Sequence, residues 1–301
     1  YTLATHAGRS SEAEDVLAAD VLDGFAEARA RRPYYLANAA HHAGDPRRGL
    51  ARVEEALSLL ARLGMDEDVA NAEELEGLLL WRIGRAEEAR DLFVALDRRV
   101  RDTTAPCTRA TRLVNAAQAS MQAWEDAGRP AASAFGPAEA RDLAREALDL
   151  GDTRCPGGLR HANAAVALAE ASEALGDPAS ARAHLEDARR VAPHPAPWFR
   201  RWWHEVMGRV LLAEKRPREA SNELEVALSF ASSATARWSI ARTRAVALEL
   251  QGRDQEAALA YEAAEAALDE IASLVPFGEG QALAASTRHE SARGLVALLV
   301  R

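Results

Sequence analysis

The segment Pro197-Trp-Phe-Arg-Arg-Trp-Trp203 gathers four aromatic and two cationic side chains within seven residues. Trp198 and Trp202 stand four apart, as do Phe199 and Trp203, so a helix would carry two aromatic stripes. One stripe can fill a core, but two together are hard to bury, and Trp and Arg are favoured at interface hot spots. Trp198, Phe199, Trp202 and Trp203 therefore form a candidate partner-binding patch, with core packing as the competing reading. Histidine offers less. His41 and His42 are adjacent, and neighbours on a helix diverge by about 100°, which does not suit chelation of one ion. The other histidines are scattered, with no His-Glu-x-x-His. Paired acids such as Glu73-Glu74 and Glu87-Glu88 read as solvated helix faces rather than as an acid–base pair. No Gly-x-Ser-x-Gly, Walker loop or dinucleotide fingerprint is present. The sequence thus predicts no catalytic residue, no metal ligand and no cofactor.

Cys107 and Cys155 are too few for a disulfide framework or a thiolate zinc site. Cytoplasm is then the expected compartment. Both fall between the expected helices, at one edge of the array, where a bridge is conceivable; free thiols are the preferred reading.

The elements that position these residues announce themselves at their turns. Gly8-Arg-Ser-Ser-Glu12-Ala13, Gly84-Arg-Ala-Glu-Glu88-Ala89 and Gly252-Arg-Asp-Gln-Glu256-Ala257 share one pattern. Gly44-Asp-Pro-Arg-Arg-Gly49 and Gly176-Asp-Pro-Ala-Ser-Ala181 are variants, Lys215-Arg-Pro-Arg-Glu219-Ala220 lacks only the glycine, and Gly136-Pro-Ala-Glu139-Ala140 is one residue shorter. Glycine can end a helix in the left-handed conformation. Proline suits the next helix's first turn, the acid there complements the helix dipole, and alanine lets the two helices approach. The turns recur at about 36 to 40 residues, apart from a longer interval between Gly84 and Gly136. Leu75, Leu78, Leu79 and Ile83 before Gly84, and Ala89, Leu92, Phe93 and Leu96 after it, keep helical spacing.

These hairpins, with Gly77 and Gly208 seven residues ahead of their turns, resemble tetratricopeptide (TPR) repeats over nearly the whole chain. The resemblance implies an all-α fold, a right-handed superhelical solenoid of TPR-like helix hairpins. The expected domain is 1–301, a single solenoid of about seven irregular hairpins plus a C-terminal helix, with an insertion near Gly128–Phe135. In such an array the first helix of each hairpin lines the concave face. Counting back from each turn gives Tyr34, Asn38 and His41, then Asn71, Glu74 and Trp81, then Arg112, Asn115 and Gln118. Asn163 and Glu170 follow, then Trp202, Glu205 and Arg209, and finally Arg242 and Glu249. Asn and Arg in such rows can bond the backbone of an extended peptide; the competing reading is a solvated polar face.

The last stretch, Ser286-Thr-Arg-His-Glu-Ser-Ala-Arg-Gly-Leu-Val-Ala-Leu-Leu299, resembles the final repeats of bacterial TPR–CHAT proteins, in which a TPR array precedes a caspase-like cysteine peptidase domain. That resemblance implies a fragment whose array is the sensor or regulatory arm of a peptidase lying beyond Arg301. The alternatives are the sensor arm of a transcription regulator or signalling ATPase, and a structural oligomerisation scaffold. The expected partner is a protein or peptide, either separate or an adjacent domain of the same polypeptide. A net charge of −9, with both signs mixed along the chain, disfavours nucleic acid. No apolar stretch reaches the roughly 18 residues of a membrane span.

Overall fold

The computed structural model describes residues 25–274 except 132, 156–157 and 193–195, together with Gly294 and Val296. The expected turn at Gly8 and most of the expected C-terminal helix lie outside the described residues. Contacts divide the chain into two compact units, Tyr1–Ala105 and Pro106–Arg301. The first unit holds α1 (Ala26–Ala43), α2 (Pro46–Arg62), α3 (Asp66–Arg82) and α4 (Ala86–Val100). The second holds α5 (Pro106–Asp126), α6 (Pro137–Arg154), α7 (Gly158–Ala174), α8 (Pro178–Val191), α9 (Pro197–Ala213), α10 (Pro217–Ser229), α11 (Ala234–Glu249) and α12 (Asp254–Leu274). Each odd helix packs against the even helix that follows it. The fold is all-α, a tandem of TPR-like hairpins.

One backbone device ends every odd helix. Gly44, Gly84, Gly128, Gly176 and Gly252 take positive φ between 71° and 84°. After each, the next residue's N–H reaches back to a carbonyl five residues earlier, as in Arg85 to Leu80 at 3.0 Å and Asp177 to Ser172 at 2.9 Å. This bonding satisfies carbonyls that a helix end would otherwise leave unpaired. Lys215 takes the same conformation, with φ 61°, and Arg216 N–H bonds Leu211 O at 2.8 Å. The turn therefore survives a non-glycine residue, at a cost of about 1–2 kcal/mol for the left-handed backbone. The even helices start on Pro46, Pro137, Pro178 and Pro217, or on Ala86 and Asp254. Where arginine precedes the helix, it pairs with the glutamate three residues on: Arg85 with Glu88, Arg216 with Glu219 and Arg253 with Glu256. Ala89, Ala140, Ala181, Ala220 and Ala257, one register apart in each hairpin, are fully buried where the two helices meet.

The insertion corrects one sequence reading. Gly128, not Gly136, closes α5, and Gly136 instead precedes α6 with φ 125°. Its N–H donates to Ser120 Oγ at 2.8 Å, the Ser120 hydroxyl donates to Glu139 at 2.7 Å, and Trp124 Nε1–H reaches Pro130 O at 3.1 Å. The Trp124 ring lies so close to Gly136 that a β-carbon there would stand 2.9 Å from it. The long connection is thereby pinned onto α5.

A second correction concerns sulfur. Cys107 and Cys155 form a disulfide, with Cα atoms 5.3 Å apart, against the expectation of free thiols. Cys107 also sits inside α5 rather than between helices, while Cys155 follows α6 directly.

Candidate functional site

Within the second unit α5 packs on α7, α7 on α9 and α9 on α11, while no two even helices approach to the same extent among the described residues. Helices crowd on the inner side of a curved stack, so the odd helices form this unit's concave layer. Asn115, Asn163, Trp202, Glu205, Arg209 and Arg242 all lie on that layer, with Gln118 and Glu170. In the first unit α1 carries Tyr34, Asn38 and His41, and α3 carries Asn71, Glu74 and Trp81; α1 packs on α3. The Arg31 guanidinium clamps this pair through Asp68, with N–O distances of 3.1 and 2.8 Å.

Not every candidate reaches an open surface. Arg112 is 1% exposed, Trp202 5% and Glu205 9%, so these three are packed among helices rather than set on a rim. For the aromatic segment the structure shows the core packing that the sequence offers beside the patch. Phe199 and Trp203 are buried as well, and only Trp198, 48% exposed, stands out. Trp203 Nε1–H donates to Leu185 O at 2.8 Å, and Trp202 Nε1–H to Glu170 at 3.1 Å, so both indoles are satisfied in place. Phe199, Trp202 and Trp203 are covered because α9 contacts α7, α8, α10 and α11. Trp203, Met207 and Leu211 also floor a cavity of about 190 Å³ rimmed by charged residues of α8 and α10.

The strongest electrostatic feature is an ion cluster that sequence reasoning found only in part. The Arg209 guanidinium on α9 pairs with Glu170, and its nitrogens lie 3.7 Å from Glu173 and 3.9 Å from Glu125. Three successive odd helices meet at this one cation. Burial alone would pull Arg209 below its ordinary range, but the surrounding glutamates outweigh it and hold the charge firmly. Burial pushes the Glu173 carboxyl up, against the pull of Arg209. It pushes Glu205 up too, although Arg201 at 2.6 Å and the Ser239 hydroxyl at 3.0 Å support its charged form. Glu125 and Glu173 each stand three residues before a turn glycine, a register that reveals Glu125 once Gly128 is recognised as the turn and that Gly176 already offers for Glu173.

A second feature is a register shared in sequence. Asn71, Asn115 and Asn163 each stand thirteen residues before the glycine that closes their helix. In the next two hairpins that register holds Trp202 and Ser239, both bonded to glutamates of a neighbouring odd helix. Asn115 and Asn163 differ. Asn163 Oδ1 is buried and meets no hydrogen-bond donor, and Asn115 engages no side chain or backbone group among the described residues. In the first unit His41 Nδ1 is likewise buried without a partner, and burial, then Arg82 and His42, lower its pKa to about 3, which keeps the ring neutral.

Among the described residues no three His, Cys, Asp or Glu side chains converge on a metal-sized site, and no helix is long and apolar enough to cross a membrane. No family model matches the sequence, and no curated protein matches it. Solved structures do. The chain is similar to the apo form of RapI, with a TM-score of 0.64 at 11% identity over 88% of this chain and 91% of that one. A Rap protein complexed with Competence and Sporulation Factor gives 0.59 at 12% identity, over 82% and 65%. A tetratricopeptide repeat protein from Parabacteroides merdae gives 0.50 at 11% identity, over 87% and 98%. At such identities the likeness speaks for the fold: a tetratricopeptide-like helical repeat.

Proposed function

We propose that the chain is a binding scaffold whose concave layer in the second unit holds an extended peptide or protein segment. The observation that carries this reading is the unsatisfied Asn163 carbonyl oxygen, in register with Asn115 on the adjacent odd helix. A buried acceptor without a donor costs free energy, and the N–H groups of an extended backbone are donors that would recover it. An Asn amide can give and take one bond each with a peptide unit, independent of the ligand's side chains. The Rap protein complexed with Competence and Sporulation Factor adds support by analogy of fold alone.

The test is to pan the full chain against a displayed library of random dodecapeptides and measure the selected peptides by fluorescence anisotropy. Asn115→Ala and Asn163→Ala each weaken binding about tenfold, the worth of roughly one hydrogen bond of 1–1.5 kcal/mol. No selected peptide, or unchanged affinity in the double variant, overturns the reading.

The narrower form makes the scaffold the regulatory arm of a caspase-like peptidase. Its support is the resemblance of 286–299 to TPR–CHAT repeats, residues of which only Gly294 and Val296 are described. In that form the ligand relieves or imposes inhibition of the peptidase. Reading the gene beyond Arg301 decides it: a domain with a separated His and Cys is expected, and a winged helix or a nucleotide-binding loop would replace it with the regulator or ATPase reading.

A further inference from the structure

The α5–α6 hairpin has the longest connection of the described hairpins: residues 127–136 begin with the Gly128 turn and are tied to α5 through Ser120 and Trp124. The Cys107–Cys155 disulfide lies at the opposite end of this same hairpin, joining the first turn of α5 to the residue after α6 across 48 residues of sequence. It thus closes the end of the hairpin opposite the connection, where no loop joins the two helices. The rest of the interface does not depend on it. Leu113, Ala117, Ala140, Ala144 and Ala147 are buried in the unit's main core, so the helices stay packed if the bond opens.

The two sulfurs are not equivalent. Cys155 is 6% exposed, whereas Cys107 is half-buried and sits at the N-terminal turn of a 21-residue helix. The helix dipole there favours a thiolate. We propose that this pair is a reversible thiol–disulfide exchange site, taking a dithiol reductant, whose reduction frees the first two turns of α5 while the hairpin stays folded. A thiolate of the dithiol attacks Cys107 Sγ, the S–S bond breaks, and Cys155 leaves as a thiolate that takes up a proton. The second thiol of the reductant then attacks its own sulfur in the mixed disulfide. It gives up its proton as Cys107 leaves as the thiolate favoured at the helix end, and the reductant departs as a cyclic disulfide. Two electrons pass from the dithiol to the protein.

The test uses the full chain, oxidised with glutathione disulfide and then treated with dithiothreitol. A non-reduced digest should yield the peptide of Cys107 linked to that of Cys155, and dithiothreitol should split it. Hydrogen exchange at 107–114 should then quicken about tenfold or more, while α9 and α10 stay unchanged. Cys155→Ser should exchange at the fast rate throughout and ignore the reductant. Two alkylatable thiols after oxidation overturn the proposal. So does a bond whose opening leaves exchange in α5 unaltered, or one whose opening unfolds the whole unit. No peptide enters the measurement, so this result is independent of the binding reading.

Discussion

Replacing Arg209 with methionine destabilises the second unit by about 2–4 kcal/mol, between the near-zero worth of an exposed pair and the 3–5 of a fully buried one. The estimate sits there because Arg209 is 17% exposed and its partners Glu170, Glu173 and Glu125 are 15%, 21% and 28% exposed. Methionine keeps much of the stem's packing, so the loss comes from removing the cation shared by Glu170, Glu173 and Glu125 in a partly desolvated layer. Among the described residues Glu125 then keeps only Arg129, and Glu170 only the Trp202 indole. That origin fixes the pH dependence. Without the guanidinium, the Glu173 carboxyl, which burial already pushes up against the pull of Arg209, rises further above its unfolded value. A carboxyl whose folded pKa is raised binds more protons folded than unfolded, so the variant regains stability as pH falls. Urea unfolding at pH 7.5 should show the full deficit, and at pH 5 a smaller one. Arg209→Lys should recover only part of it, since an ammonium does not reach three carboxylates as a planar guanidinium does. Equal midpoints for wild type and Arg209→Met at pH 7.5, or a gap that does not narrow with acid, would show that the cluster carries no net energy.

The repeat was legible because its signal is backbone chemistry. A left-handed residue that ends a helix selects glycine strongly enough to be counted, and the proline or glutamate after it marks the next start. The same logic went astray at Gly136, where two glycines of positive φ lie eight residues apart and nothing local says which one ends the helix. That slip hid Glu125, because residues of the concave layer are located by counting back from the turn. Lys215 shows the converse: the conformation persists where the residue does not advertise it.

Other features depend on neighbours that no helical pattern contains. The stripe argument at Trp198–Trp203 supposed one buried face, but an odd helix inside the stack touches others on nearly every side, so only Trp198 at its leading edge stays exposed. Asn115 and Asn163 can be counted from the turns, yet the distinguishing property of Asn163, an oxygen with no donor, exists only once the helices are packed. The disulfide was missed because compartment statistics were set against it, while the spatial fact that favours it depends on the start of α5 meeting the end of α6.

Gly77→Val tests how far the hairpin geometry itself is dictated by residue size. A β-carbon at Gly77 on α3 would lie 2.6 Å from Cε1 and 2.7 Å from Cζ of Phe93 on α4, closer than atoms pack. Phe93 is fully buried, so its ring has no empty space to move into and the two helices must part. Overpacking of this kind costs about 2–3 kcal/mol. Phe93→Ala alone costs about 3–5 kcal/mol by emptying the same place. The double variant should cost only about 3–4 kcal/mol, because the valine methyls occupy part of the volume the ring vacates, giving a favourable coupling of about 2 kcal/mol or more. Thermal and urea unfolding of the four proteins in the cycle would measure it. Strict additivity would mean that the small residue before the turn serves something other than close approach. Gly208 and Leu224 on α9 and α10 offer an independent repetition, with the same 2.6 Å encounter between a helical glycine and the large residue sixteen positions on. Coupling of the same sign in both hairpins would establish that a glycine seven residues before the turn is a steric requirement of this repeat, set by the bulk of the side chain it faces.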